Sequence, residues 1–183
     1  MSKIKLGLFL SIILLMTGCA IPVDRYTATA DNQIKIKTFQ NKLNVDKFTA
    51  TKTNYKVQCR LANNVEMTDG RSFEGYIQDA MIEELKMAGA YSKDSEILIK
   101  GHLNDTDVSS GVTDAHWTFD LTISNASGKS FSIHHKREYS ASFMGGIACG
   151  SDMPKSFLPT VQELIGKIIN HPDFDSLFSS KTI

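Results

Sequence analysis

The stretch His116, Trp117, Thr118, Phe119, Asp120, Leu121, Thr122, Ile123 alternates polar and apolar side chains without a break. Side chains along a strand point to opposite faces in turn, so Trp117, Phe119, Leu121 and Ile123 share one face and His116, Thr118, Asp120 and Thr122 the other. The spacing predicts a central strand of an antiparallel sheet with one face buried. Its neighbours follow the same rule. Downstream, Phe131, Ile133, His135, Arg137, Tyr139, Ala141 and Phe143 alternate with polar residues; upstream, Ile97, Ile99 and Leu103 share a face with Gly101. Turn chemistry at Ser109, Ser110, Gly111 and at Asn125, Ala126, Ser127, Gly128 joins the three as hairpins. Parity sharpens the second hairpin. Setting Ile123 opposite Phe131 or Ile133 requires an odd loop, about three or five residues, with Gly128 left-handed, because a two-residue turn would face Leu121 toward His134.

Two helices flank these strands. The first follows Ser72, a suitable N-cap, with Phe73, Tyr76, Ile77, Ala80, Met81, Leu85 and Ala88 recurring at three and four. Gly89 closes it, and Glu74, Asp79, Glu83 and Glu84 are read as lying mostly off its apolar stripe. The second starts near Pro154 and Pro159, carries the stripe Leu158, Val161, Ile165, Ile168 and Ile169, and stops at Asn170 and Pro172. Phe174, Leu177 and Phe178 read as a terminal turn packed on the domain. Ahead of the first helix, Ile34 and Ile36 alternate with Lys35 and Lys37, and Tyr55, Val57, Cys59 and Leu61 with Lys56, Gln58 and Arg60, giving two strands with a loop over residues 41–54 between them. The order β-β-α-β-β-β-α predicts an α+β, two-layer fold, with an antiparallel sheet of about five strands and two helices on one face.

The N-terminus reads differently. Lys3 and Lys5 precede an apolar run from Leu6 to Met16, about half of the ~20 residues a membrane-crossing helix needs, and small residues follow at Thr17 and Gly18. Leu15, Met16, Thr17, Gly18, Cys19 resembles the lipobox of bacterial lipoprotein precursors. That resemblance implies that residues 1–18 are a signal peptide, that Cys19 takes a diacylglycerol and, once freed as the N-terminus, an amide-linked acyl chain, and that Ala20 after it directs the protein to the outer membrane. The alternative is a plain signal peptide with an incidental cysteine. Acyl chains contribute about 0.8 kcal/mol per buried methylene, so two or three hold firmly. Residues 19–33, with Pro22 and repeated Thr and Ala, read as a flexible tether, or else as an arm that Tyr26 pins to the domain. Residues 34–183 then form a single periplasmic α+β domain. The two-layer order, and the run from Phe73 through Ala90 and Tyr91 to Gly101, loosely resembles small uncharacterised lipoproteins of Gram-negative envelopes.

Charge and cysteine count bound the function. Losing Lys3 and Lys5 with the leader leaves 18 basic residues against 20 acids. A net charge of −2 over 165 residues argues against nucleic acid and gives no support for binding anionic lipid heads. With Cys19 assigned to lipid, Cys59 and Cys149 remain as an even pair in an oxidising compartment and are expected to form a disulfide. The competing role for Cys149 is a nucleophile served by a histidine.

No metal site is expected. His134 and His135, adjacent on a strand, point to opposite faces, and His116 sits well along from His134. Asn104, Asp105, Asp107 and Asp114 lack the spacing of a calcium loop and read as a solvated hairpin end. Gly145, Gly146 and Gly150 lack the lysine of a phosphate loop, and no cofactor motif or serine elbow is present. His135 and Arg137 stand out because both fall on an otherwise apolar strand face. They mark either an overhang beyond the helices or a polar spot in a ligand groove. The residues support a lipid-anchored, non-enzymatic accessory or binding module with an envelope protein partner. The alternatives are a carrier of a lipid or small apolar ligand in a helix–sheet groove, and a hydrolase.

Overall fold

The computed structural model describes residues 20–61 and 63–178. The chain forms β1 (Ile21–Pro22), α1 (Ala30–Ile36), β2 (Asn44–Val45), β3 (Thr49–Ala50), β4 (Lys56–Cys59), β5 (Asn63–Glu66), α2 (Phe73–Met87), β6 (Leu98–Ser109), β7 (His116–Asn125), β8 (Ser130–Glu138) and α3 (Met153–Ile169). The fold is α+β, with the helices on one face of the larger sheet.

The three long strands form the antiparallel centre of that sheet. Ile123 pairs with Phe131 and Leu121 with Ile133, Gly128 takes φ +85°, and Asn125 N donates to Lys129 O across the turn. The odd loop predicted from parity is the one formed. Trp117, Phe119, Leu121 and Ile123 are all buried. Phe157 of α3 sits against this face as a hub. Its ring centroid lies 5.0 Å from those of Tyr76 and Trp117, 5.7 Å from Phe73 and 6.0 Å from Phe119. Trp117 Nε1 donates to Ser156 Oγ at 2.9 Å, so the buried indole keeps a partner.

The sheet is mixed at its edge rather than wholly antiparallel. β2 and β3, each two residues long, pair in parallel with β6 where a loop was expected. Phe48, between them, lies over Gly101, where a Cβ would meet its ring at 2.5 Å. Glycine there makes room for the ring. A second sheet, in the order β1-β5-β4, stands beside it. The short hairpin of β4 with β5 was not anticipated; Cys59 is buried in it as predicted, but Tyr55 and Leu61 face solvent.

Ile34 and Ile36 lie on a helix, not a strand. Thr29 Oγ1 accepts from Asn32 N and caps α1, which turns Ile36 into the core and leaves Ile34 exposed. The expected flexible tether is likewise corrected for residues 20–33. Ile21 pairs with Val65, Val23 N donates to Glu66 O, Tyr76 Oη donates to Asp24 O, and Gln162 Nε2 donates to Thr27 O. These residues are an ordered arm of the domain, the alternative in which Tyr26 pins the chain. α2 matches its reading, with Ser72 as cap and Gly89 at φ +73°. In α3, Pro154 stands in the first turn, but Pro159 lies inside the helix. Its buried side is centred on Phe157, Val161, Leu164 and Ile165, rotated from the predicted stripe so that Leu158 is only half-buried.

Candidate functional site

Cys19, the lipidation candidate, lies outside the described residues, as does the whole leader. The geometry at the point where the chain enters the domain is defined. β1 runs parallel to β5, with Ile21 opposite Val65 and Pro22 opposite Glu66, so Ala20 stands toward Asn63 and the β4–β5 turn. Ile21 Cδ1 lies within 3.9 Å of where a Cβ on Gly150 would be. Gly150 adjoins Cys149, and Cys149 is bonded to Cys59, with Cα atoms 5.5 Å apart and a separation of 90 residues. The predicted disulfide is therefore present, and it ties β4 to the helical turn that leads into α3.

Three loops converge beside this bond, and Arg60 holds them. Its backbone takes φ +49°, an unusual conformation for a side chain of that size. Arg60 N donates to Ser110 Oγ at 3.1 Å and Nε to Ser110 O at 3.0 Å. Nη1 donates to Phe143 O at 2.9 Å and Nη2 to Ser142 O at 2.6 Å. Ser142 N in turn donates to Asp152 Oδ2. Each guanidinium nitrogen thus donates to a carbonyl, one at Ser110 and two in the 139–147 loop.

His135 and Arg137 do not mark an overhang. β8 lies under α3 there, His135 is 2% exposed, and its partner across the sheet is Phe119. Glu163 on α3 reaches both, with Arg137 Nε to Glu163 Oε1 at 2.9 Å and His135 Nε2 to Glu163 Oε2 at 3.5 Å. Burial, with Lys167 and Arg137 adding to it, holds the imidazole below its ordinary pKa, against the pull of Glu163. Arg137 and the exposed Glu163 thus form a surface ion pair between sheet and helix, with the buried imidazole of His135 beneath it.

The space between helices and sheet, where a carrier would hold its ligand, is filled by Phe73, Trp117, Phe119 and Phe157, all fully buried. Two open cavities among the described residues lie elsewhere. One of about 470 Å³ flanks the start of α2, among Lys47, Thr53, Tyr55, Arg71 and Gln78. Glu74, buried in its wall, accepts from Thr53 Oγ1 at 2.9 Å. Another of about 300 Å³ is rimmed by the pairs Arg25–Asp69 and Arg71–Asp79.

Sequence reasoning missed the most densely bonded buried group, Glu84. It faces the helical layer and is wholly buried. Its Oε1 accepts from Tyr26 Oη at 2.7 Å, Thr29 N at 3.0 Å and Asn32 Nδ2 at 2.9 Å, and its Oε2 from Gln33 Nε2 at 2.5 Å. Burial, with Glu84 beside it, raises the Tyr26 pKa and keeps its hydroxyl a donor. The available signal was the spacing of Glu84 from Ala80 and Met81 on the core stripe.

The outer sheet face is polar and paired. His116 Nε2 meets Asp107 Oδ2 at 2.9 Å, His134 Nδ1 meets Asp120 Oδ1 at 2.6 Å, and His102 lies between Thr49 and Thr51. Asp105 Oδ1 accepts from Thr106 N, and Asn104 Nδ2 donates to Thr122 Oγ1. Among the described residues, no three His, Cys, Asp or Glu gather as a metal would require. No described helix is long and apolar enough to cross a membrane.

No family model matches the chain, and no curated protein matches it in sequence. In structure it is similar to a crystal structure of a Xanthomonas campestris protein of the DUF330 family, at a TM-score of 0.52 and 12% identity. The match covers 86% of this chain and 99% of that one. At that identity the likeness is one of fold.

Proposed function

We propose that the chain is an outer-membrane lipoprotein, held by acyl chains on Cys19 with its domain facing the periplasm, and that it works as a non-enzymatic accessory or binding module of an envelope assembly. The observation that carries this reading is the disulfide. Once lipid takes Cys19, the two remaining cysteines are bonded to each other, and such a bond is rarely kept in a reducing cytosol. The lipobox and the cysteine pair are independent features that favour the same compartment. A module is preferred to a carrier because the helix–sheet seam is filled with side chains.

The test is made in cells. Wild type takes up labelled palmitate and sediments with the outer membrane, whereas Cys19→Ser takes up none; a wild type that is unlabelled and soluble contradicts the anchor. Crosslinking in intact cells then reads the module half of the proposal, which expects one envelope protein to be captured with the domain. A domain that captures none, and carries a bound lipid when released from its anchor, contradicts it in favour of the carrier.

A further inference from the structure

The three loops gathered by Arg60 expose Leu61, Val112, Phe143, Met144 and Ile147, with Leu61 97%, Phe143 85% and Met144 64% exposed. The other large apolar side chains exposed among the described residues, Ile34, Tyr55 and Met87, are spread over separate elements. Single exposed apolar residues are ordinary, but a cluster on one end marks an interaction surface. This cluster is also held outward. The disulfide and the Arg60 hydrogen bonds fix the backbone of the loops, so their side chains cannot sink into the domain without breaking those bonds.

What covers this tip follows from where the chain enters. Ala20 stands at the same end, between Ile21 and whatever precedes it. One residue of extended chain spans at most about 3.6 Å, so a lipid on Cys19 leaves the folded arm within roughly 7 Å of its attachment point. We propose that the tip is a membrane-docking face, its five apolar side chains seated in the headgroup–acyl boundary of the bilayer that holds the Cys19 acyl chains. The occupant is the apolar boundary rather than anionic headgroups, because the Arg60 guanidinium is turned onto loop carbonyls through all three nitrogens and the chain without its leader is slightly acidic. The inference rests on the lipoprotein reading, and its test separates the two.

Full-length Phe143→Trp protein is purified with its acyl chains and placed in phosphatidylethanolamine–phosphatidylglycerol vesicles whose acyl chains carry bromine. Trp117 is the one native tryptophan and is fully buried, so wild type supplies the baseline. The emission added by Phe143→Trp is expected to be blue-shifted and quenched by roughly half, as for a side chain about 5–10 Å into the interface. The same substitution at Met87 should add unquenched emission. Acylated, vesicle-bound protein whose added emission from position 143 is red and unquenched overturns docking and leaves the anchor standing. Emission that is blue-shifted yet unquenched overturns it in favour of a protein or second copy on the tip. A chain without acyl groups overturns the anchor reading and the docking proposal with it.

Discussion

His135 has its place because strand parity dictates it: residues 131, 133 and 135 must face the same way, and that way is inward. What parity does not reveal is the opposing helix: α3 covers His135, and its Glu163 closes over the pair from the surface where the sequence reads as an overhang. The buried imidazole sits among Glu163, Thr160, Lys167 and Arg137, and its pKa is held below 6.5. The unfolded chain therefore binds that proton more readily than the folded one. Stability is full above the unfolded value and falls as pH drops below it. Denaturant midpoints taken between about pH 7.5 and about pH 5.5 should fall for wild type more steeply than for His135→Leu. Equal slopes would show that the imidazole is not what senses the acid. Glu84 shows the opposite failure of sequence reasoning. An acid in a helical stripe reads as solvated, and only the donors from residues 26–33, more than fifty positions away, reveal it as buried and bonded.

Elements with a long, regular period were legible, and short ones were not. β7 and β8 declare themselves over eight or more alternating residues, and α2 over four turns with a cap at each end. β2, β3 and β1 are two residues each, too short for any period to register, and all three exist because a longer strand offers them an edge. α1 buries only Asn32 and Ile36, and the polar Asn32 hides that helical spacing while Ile34 and Ile36 alternate with lysines as a strand would. One acid, Glu84, holds the part of the arm from Tyr26 to Gln33. Glu84→Ala takes the acceptor from the half-buried Tyr26 Oη and Thr29 N, while Asn32 Nδ2 and Gln33 Nε2 keep the carbonyls of Gln162 and residue 84, and should cost roughly 2 kcal/mol. Trypsin should then cut at Arg25 well before the rest of the domain opens, and a variant as resistant there as wild type contradicts that role. The disulfide joins two other short elements. Closing a loop of 90 residues contributes about 4–5 kcal/mol in the chain-entropy model, and often less in practice. Replacing both Cys59 and Cys149 by Ala should lower the melting temperature and release hydrogen-exchange protection first in β4, β5 and the turn before α3. Protection lost uniformly across the domain argues against that local clamp.

At the scale of the molecule, the layers have separable duties. The long strands and two helices build a core around Phe157, the polar outer face pairs its own histidines with aspartates and threonines, and the end opposite the β7–β8 turn gathers the disulfide, Arg60 and the chain entry. The fold is similar to that of the Xanthomonas campestris protein over nearly all of that chain, at an identity too low to carry activity with it. Two-layer architecture was readable from the order of periods in the sequence. The tip was not, because Leu61, Val112 and Phe143 lie far apart in the chain and only three-dimensional closure around Arg60 brings their loops together. Whether that closed end faces a bilayer depends on the modification of one residue. Intact mass spectrometry of the protein extracted from cell membranes measures it directly. The lipoprotein account predicts a chain beginning at Cys19 that carries a diacylglycerol and an amide-linked acyl group, and a mature chain beginning elsewhere, or an unmodified Cys19, contradicts it.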